Sequence, residues 1–313
     1  MRVLTDDLEN IHLPDELVGQ PSLITIGAFD GIHLGHQRLI RRLVLAARRQ
    51  NALAGLVTFY PHPAAILDPQ HAPRYLTTPG AKNVLLEKLE LDWTIILAFD
   101  RRLAATTPRA FMEALYRRVM MRQLYVSDDF ALGRNRQGDI STLRVLGQEL
   151  GFEVHVVAPL RDQETKIGSS HIRALLRRGH VQQAAALLGR PYTIAGPVVY
   201  GAQRGRCIGF PTANLSPTAE RVMPANGVYV TRAYLGADSY ESVTSIGTRP
   251  TFDNGQTSIE TFILDFDQDI YGCDLVVEFI ARLRPERKFG NIQELIAQIT
   301  ADVQSARLIL DRR

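Results

Sequence analysis

The sequence predicts an α/β half built on a parallel sheet, followed by a β-rich half closed by a single helix. Three observations carry this expectation. Short apolar strand-like runs alternate with helical periodicity as far as residue 188. From Tyr192 onward the segments become rich in β-branched and aromatic residues, with Gly, Pro, Asn and Asp between them. The length, 313 residues, suffices for two cores of ordinary size.

Leu23 to Ile26 reads as a short strand ending at Gly27 and leading into a helix from about His36 to Gln50, with Leu39, Leu43 and Ala47 on one face. Asn51 and Gly55 read as turn residues before a second strand, Leu56 to Phe59. Further strands are expected at Thr94 to Phe99, Leu124 to Val126 and Val154 to Val157. Between them fall helices Arg109 to Met121, with Phe111, Leu115 and Val119 aligned, and Thr142 to Leu150, with Leu143, Leu146 and Leu150 aligned. Strand–helix repetition of this kind predicts a parallel sheet covered on both faces, with ligands at the carboxyl ends of its strands. Short helices at Ile172 to Arg177 and Val181 to Leu188 end the half, and Gly189-Arg190-Pro191 stops the second of them. The expected domains are therefore 1–188 and 189–313.

In the second half, strands are expected at Ile194 to Tyr200, Val228 to Tyr234, Ser242 to Ile246, Ser258 to Phe266 and Leu275 to Ile280, which suits an antiparallel barrel or a sandwich. A last amphipathic helix runs from Ile292 to Leu310, with Leu295, Ile296, Ile299 and Val303 as its apolar stripe.

Composition narrows the function classes. Hydrophobic residues at 45% and charged residues at 22% are globular values. A net charge of +3 is too small to predict a nucleic-acid partner, and Arg41, Arg42, Arg48 and Arg49 are expected on the solvated side of a helix. The two cysteines, Cys207 and Cys273, have no CxxC or histidine spacing, which predicts neither a disulfide nor a zinc site and suits a reducing cytoplasm. The acidic N-terminus has no apolar core of a signal peptide, and no apolar run is long enough to span a bilayer.

The strongest phrase of the first half is Gly27-Ala28-Phe29-Asp30-Gly31-Ile32-His33-Leu34-Gly35-His36, at the handover from strand to helix. Amides at a helix N-terminus favour anions, and glycines let a phosphate chain approach the backbone. His33 and His36 can face one phosphate and donate to oxygens that gain charge when it is attacked; the alternative is a capping turn with two incidental histidines. Gly27, Phe29, Asp30 and Gly35 are candidate nucleotide contacts by position. A second phrase, Ile167-Gly168-Ser169-Ser170-His171-Ile172-Arg173, puts hydroxyls at a helix start and a cation one turn later. Ser169 and Ser170 are candidate phosphate ligands or N-caps, and Arg173 a candidate counter-charge.

In the second half, Arg204-Gly205-Arg206-Cys207-Ile208-Gly209-Phe210-Pro211-Thr212-Ala213-Asn214 follows Gly201. Its glycines can turn amides toward phosphate, and the Thr212 hydroxyl and Asn214 amide oxygen are hard ligands suited to Mg²⁺. Glu260 shares its strand face with Phe262, while the opposite face, Ile259, Thr261 and Ile263, is also apolar, so alternation leaves open which face points inward. A carboxylate in such company needs a task or a partner.

The His33–His36 loop resembles the HxGH signature of the nucleotidylyltransferase superfamily, and the 167–173 phrase resembles that superfamily's second phosphate-gripping element. Over nearly its whole length the chain resembles the prokaryotic bifunctional riboflavin kinase/FAD synthetase (FMN adenylyltransferase) family. Thr58-Phe59-Tyr60-Pro61-His62-Pro63 and Asp128-Asp129-Phe130-Ala131-Leu132-Gly133 match it in place and order, as does the 209–214 phrase. Ala28 departs from a common asparagine, Gly168-Ser169-Ser170 from Ser-Ser-Thr, and Ser127 and Ala131-Leu132 from Gly and Arg-Phe. The departures gather in the first half, so FAD synthesis is the activity expected to be the weaker.

The resemblance implies a Rossmann-like nucleotidylyltransferase sheet, a riboflavin-kinase-type barrel with a terminal helix, and two reactions. Riboflavin is phosphorylated by ATP to FMN, and FMN is adenylylated by a second ATP to FAD. It further implies Thr212 and Asn214 at the metal, Glu260 as catalytic base, and Gly201, Arg206 and Gly209 about the kinase nucleotide; Mg²⁺ is expected to serve both reactions. Asp129 and Phe130 would lie near the flavin or nucleotide of the first site, and Arg249 and Thr251 in the flavin-side loop of the second, where Arg249 reads equally as a phosphate contact or a turn residue. An adenylyltransferase for another substrate would not explain the second half, and a flavin- or RNA-binding protein without turnover would not explain why His33, His36, Thr212, Asn214 and Glu260 occur together.

Overall fold

A computed structural model of the chain describes residues 1–201, 203–217, 220–248 and 257–311. Contacts divide it into two compact units, Met1–Ser169 and Ser170–Arg313.

The first unit contains β1 (Arg2–Asp6), β2 (Ser22–Ile26), α1 (Leu34–Arg49), β3 (Leu53–Tyr60), α2 (Pro63–Leu67), α3 (Pro79–Glu87), β4 (Trp93–Ala98), α4 (Arg101–Ala105), α5 (Pro108–Val119), β5 (Met121–Ser127), α6 (Ile140–Leu150) and β6 (Glu153–Val157). A short hairpin, β7 (Arg161–Asp162) and β8 (Thr165–Lys166), follows. The six main strands form one parallel sheet in the order β1-β4-β3-β2-β5-β6. Every residue of β2 is buried, as a central strand covered on both faces requires. Leu23 faces Leu39, Ile40 and Leu43 of α1, while Ile24 and Ile26 face the other side, in the cluster that contains Phe111, Met112 and Leu115 of α5. The arginines of α1 are on its solvated side, and Arg48 pairs with Asp92 at 2.7 Å. From β2 the chain proceeds to β3 and β4 in one direction, and from β5 to β6 in the other. The crevice beyond the carboxyl ends of β2 and β5 is thus the topological switch point, where ligands of such sheets bind.

The sequence reading missed β1 and α3 and misplaced Gly55. Edge strand β1 presents too few apolar residues for its periodicity to show. Gly55 is in β3 rather than in a turn: a Cβ there would lie 2.0 Å from Cζ2 of the fully buried Trp93, so the missing side chain makes room for the indole.

The second unit holds α7 (Ser169–Arg177, entered from the last residue of the first unit), α8 (Val181–Leu188), β9 (Tyr192–Val199), α9 (Arg204–Cys207), β10 (Ala213–Leu215), β11 (Gly227–Leu235), β12 (Asp238–Thr248), β13 (Thr257–Ile263), β14 (Asp274–Arg284) and α10 (Ile292–Leu310). Gly189 caps α8 in the left-handed conformation, at φ 73°. The strands close into an antiparallel barrel, β10-β13-β12-β11-β14-β9, which decides between barrel and sandwich and leaves no free sheet edge. Closure depends on β10, three residues that the sequence reading did not mark as a strand; it joins β9 to β13. Strand β13 stops at Ile263, short of the expected Phe266, because the chain turns at Asp265 with φ 54°. Helix α10 covers the barrel mainly through Ala306 and Leu310 against Val228, Val230, Val243 and Ile280. The expected stripe of Leu295, Ile296, Ile299 and Val303 is only half-buried. Arg284 of β14 binds the buried Asp302 carboxylate at 2.8 Å.

Substituting Gly55→Val should destabilise the first unit by about 3 kcal/mol or more, because the Trp93 ring has no room to withdraw. Urea unfolding followed by tryptophan fluorescence checks this cleanly, since Trp93 is the only tryptophan in the chain.

Candidate active sites

The loop after β2 is held in an unusual backbone path. Phe29, Gly31 and Ile32 have φ of 47°, 83° and 39°, values that favour glycine and strain the other two. The restraint is the buried Asp30 carboxylate, which accepts hydrogen bonds from the Leu76 amide (2.9 and 3.0 Å), the Thr77 amide (3.1 Å) and the Thr77 hydroxyl (3.3 Å). The Gly31 amide in turn donates to the Thr77 hydroxyl at 3.1 Å. Asp30 therefore shapes the loop from inside, which is also better chemistry for a carboxylate than direct contact with phosphate.

His33 caps α1, its Nδ1 accepting from the His36 amide at 3.3 Å, which leaves Nε2 to carry the proton. The two imidazoles stack with centroids 3.6 Å apart. A side chain at residue 35 would press on this stack: a Cβ on Gly35 would lie 3.1 Å from the His33 ring. Phe29 is buried and meets His36 edge-on at 5.0 Å, so it supports the histidine; a Cβ on Gly27 would lie 3.1 Å from the Phe29 ring. Burial, with smaller contributions from His33 and Lys82, holds His36 well below its ordinary pKa of 6.5. At neutral pH His36 is thus uncharged, a hydrogen-bond donor rather than a fixed cation, and its buried Nδ1 has no partner among the described residues. Ser169 donates to the Asp30 carbonyl at 2.9 Å, bringing the start of the second phrase onto the loop. Ser170 is exposed and Arg173 buried, both on α7 in the second unit.

Asp129 and Phe130 follow β5, on the other side of the switch point. Burial pushes the Asp129 carboxyl upward, but hydrogen bonds from Lys166 (2.8 Å) and Ser127 (2.7 Å) outweigh it and leave the pKa lowered. Phe130 is half-buried against the core.

The sequence reading missed Lys82. It is buried, with Nζ donating to Thr58 Oγ1 at 3.0 Å and to the Ala28 carbonyl at 3.2 Å, directly beneath the loop. Burial lowers its pKa from 10.5 to about 8, with Asp30 opposing the shift. Keeping it charged costs the folded state about 3 kcal/mol below pH 8, a cost that fades as pH rises to 10.5. No face was available on which to place Lys82 because α3 itself was not foreseen.

In the second unit, β10 and β13 align so that Asn214 and Glu260 are directly opposite, hence on one face of the sheet. Ile259, Thr261 and Ile263 are buried and fill the barrel interior, which answers the question alternation left open: Glu260 and Phe262 face outward, half-buried. Thr212 sits just before β10. The 201–210 loop packs on this face: a Cβ on Gly201 would lie 2.3 Å from the Asn214 amide nitrogen, and one on Gly205 3.6 Å from Thr212 Oγ1. Gly209 turns the loop with φ 87°. At the barrel mouth a cleft of about 370 Å³ is lined by Arg206, Thr212, Thr261, Ile263 and the 266–271 loop. Tyr271 in its wall stacks on Tyr200 at 4.0 Å and accepts a hydrogen bond from Gln203 at 3.2 Å. Thr212 is therefore the edge between the cleft and the Asn214–Glu260 face. Arg249 and Thr251 fall outside the described residues.

Comparison with known proteins bears on both units. A family model described as FAD synthetase matches residues 16–171, and one described as riboflavin kinase matches residues 188–310. The chain is 34% identical over 310 residues to the bifunctional riboflavin kinase/FMN adenylyltransferase of Bacillus subtilis, covering 96% of this chain and 97% of that one. It is 34% identical over 302 residues to the protein of the same name from Escherichia coli K12, covering 96% of each. A crystal structure described as a macrolide-efflux protein from Streptococcus pneumoniae superposes with a TM-score of 0.90 at 31% identity, covering 98% of this chain and 99% of that one. Among the described residues no helix is long and apolar enough to cross a membrane.

The lowered pKa of His36 has a consequence for stability. Below 6.5 the unfolded chain binds a proton at this position before the folded one does, so stability present above 6.5 is lost as pH falls. Tryptophan-monitored unfolding between about pH 5 and 8 should show this slope in the wild type and a shallower one in His36→Asn.

Proposed function

The chain belongs to the family of bifunctional riboflavin kinase/FMN adenylyltransferases, and we propose that the His33–His36 loop and the Thr212–Asn214–Glu260 group run its two reactions. The chain phosphorylates riboflavin to FMN at the expense of ATP, then transfers an adenylyl group from ATP to FMN, giving FAD and pyrophosphate. The proposed functional division is 1–188 for adenylylation and 189–313 for phosphorylation, supported by family matches that end at 171 and begin at 188.

The observation that carries the kinase assignment is the register of Asn214 opposite Glu260. Glu260 takes the proton from the riboflavin 5′-hydroxyl as that oxygen attacks the γ-phosphorus of ATP, and ADP leaves. Arg206, Gly201 and Gly209 form the nucleotide side. The donor chemistry fits Mg²⁺: the Thr212 hydroxyl and Asn214 amide oxygen are hard ligands beside glycines whose missing side chains leave the cradle open. Bound there, Mg²⁺ would neutralise charge on the transferred phosphoryl group. Arg249 and Thr251 are assigned to the flavin side on the family resemblance.

In the adenylylation centre an FMN phosphate oxygen attacks the α-phosphorus of ATP and pyrophosphate leaves. His33 and the neutral His36, with the first amides of α1, donate to the oxygens that gain charge. Ser169, Ser170 and Arg173 serve the outer phosphates, and Asp129 and Phe130 the flavin side. The proposed compartment is the cytoplasm, where exposed Cys207 and Cys273 stay reduced.

Purified chain incubated with riboflavin, ATP and Mg²⁺, with the three flavins resolved over time, should show FMN and then FAD. Glu260→Gln should abolish FMN formation yet still adenylylate supplied FMN, and His36→Ala should do the reverse. Loss of both reactions in either variant would sink the assignment of separate centres. Gly201→Ala, which displaces the Asn214 amide, should slow phosphorylation by about 10- to 100-fold and spare adenylylation.

A further inference from the structure

Lys82 is an expensive residue without a role in either assigned reaction. Its ammonium is buried, and both of its acceptors are neutral oxygens, Ala28 O at 3.2 Å and Thr58 Oγ1 at 3.0 Å. Thr58 Oγ1 itself donates to Ala28 O at 3.1 Å, so the three groups close a small polar ring that ties α3, β3 and the loop after β2 together. Ala28 carries no side-chain polar group, so any polar tie at this point must use its backbone. The anchored carbonyl immediately precedes Phe29, the first of the strained residues leading to His33 and His36. The cavity beside Nζ, bounded by Asp30, Tyr60, His62 and Tyr75, measures only about 10 Å³. That is room for about one water molecule, too little for a flavin or a nucleotide, so the ammonium acts on the loop and not on substrate.

We propose that Lys82 is a positioning residue of the adenylylation centre, its ammonium and the Thr58 hydroxyl together fixing the Ala28 carbonyl and hence the loop that carries His33 and His36. The inference rests on that loop being the adenylylation centre. It also explains why a costly burial is retained: functional sites are where such destabilising groups persist. Of the groups facing Lys82, Asp30 favours its charge and burial opposes it, leaving the ammonium to titrate at about 8. The same charge contributes to keeping His36 neutral.

The test uses the full chain with FMN and ATP across about pH 6 to 9.5, with riboflavin phosphorylation as the check on the second unit and Trp93-monitored urea unfolding as the check on folding of the first. Wild-type adenylylation should decline on an alkaline limb near pH 8. Lys82→Met should lower kcat for adenylylation roughly 10- to 100-fold with KM little changed, lose that limb, and phosphorylate riboflavin normally. Thr58→Val removes an acceptor that favours the charged amine, so the limb should move to lower pH. Wild-type kcat and an unaltered profile in Lys82→Met would overturn the proposal. If Lys82→Met loses both reactions through misfolding, Thr58→Val decides, and an unmoved limb overturns it. His36→Ala in the same assay separates the two levels: unimpaired adenylylation there removes the centre itself, and the role of Lys82 with it.

Discussion

The buried Asp30 carboxylate is the contact on which the first site depends. An unpaired carboxylate in the interior is costly, but hydrogen bonds of 2.9 to 3.3 Å from Leu76 and Thr77 compensate it. Those bonds brace residues 29–32 in a path that their own torsional preferences resist. The strain is repaid in placement. The loop leaves β2 at the switch point, turns at once, and delivers His33 as the cap of α1 with His36 stacked on it. Amides and imidazoles then converge on one place without any mobile side chain having to find it.

The second unit solves its positioning problem by strand register. A closed barrel has no slack in its pairing, because shifting one strand would break the ladder on both of its sides. Asn214 and Glu260 are held opposite by that constraint, and the short strand β10 bears it although it offers only three residues. Gly201 and the loop of residues 203–210 then pack closely enough that a side chain at 201 would collide with Asn214, and one at 205 with the Phe210 carbonyl just before Thr212.

Beside the charged Arg173, Arg206 and Glu260, the two proposed sites rely on neutral donors and ligands. His36 is kept uncharged by burial, and Thr212 and Asn214 contribute oxygens without charge. Phosphoryl and adenylyl transfer bring their own negative charge, and preorganised dipoles stabilise its redistribution with little reorganisation. Lys82 is a charge of another kind, a cation buried beneath the loop at a cost to folding, and the HxGH phrase alone gives no hint of it.

Much of this protein was decided locally and could be read from residues alone. The periodicities of α1, α5, α6 and α10 and the apolar runs of β2 to β6 placed these elements within a few residues of where they occur, because each buries a face that its own sequence defines. The motifs proposed to carry the chemistry were legible too, since glycines, histidines and hydroxyls at such spacing have few other uses. Tertiary structure decided what depends on distant partners. It closed the barrel through β10, turned Glu260 outward and Thr261 inward, and moved Gly55 from a turn into a strand beside Trp93. It also directed Asp30 and Phe29 into the protein as supports and brought Lys82 beneath the loop from 54 residues away. In each case the meaning of the residue is set by what packs against it, and that neighbour lies far along the chain, beyond the reach of local periodicity.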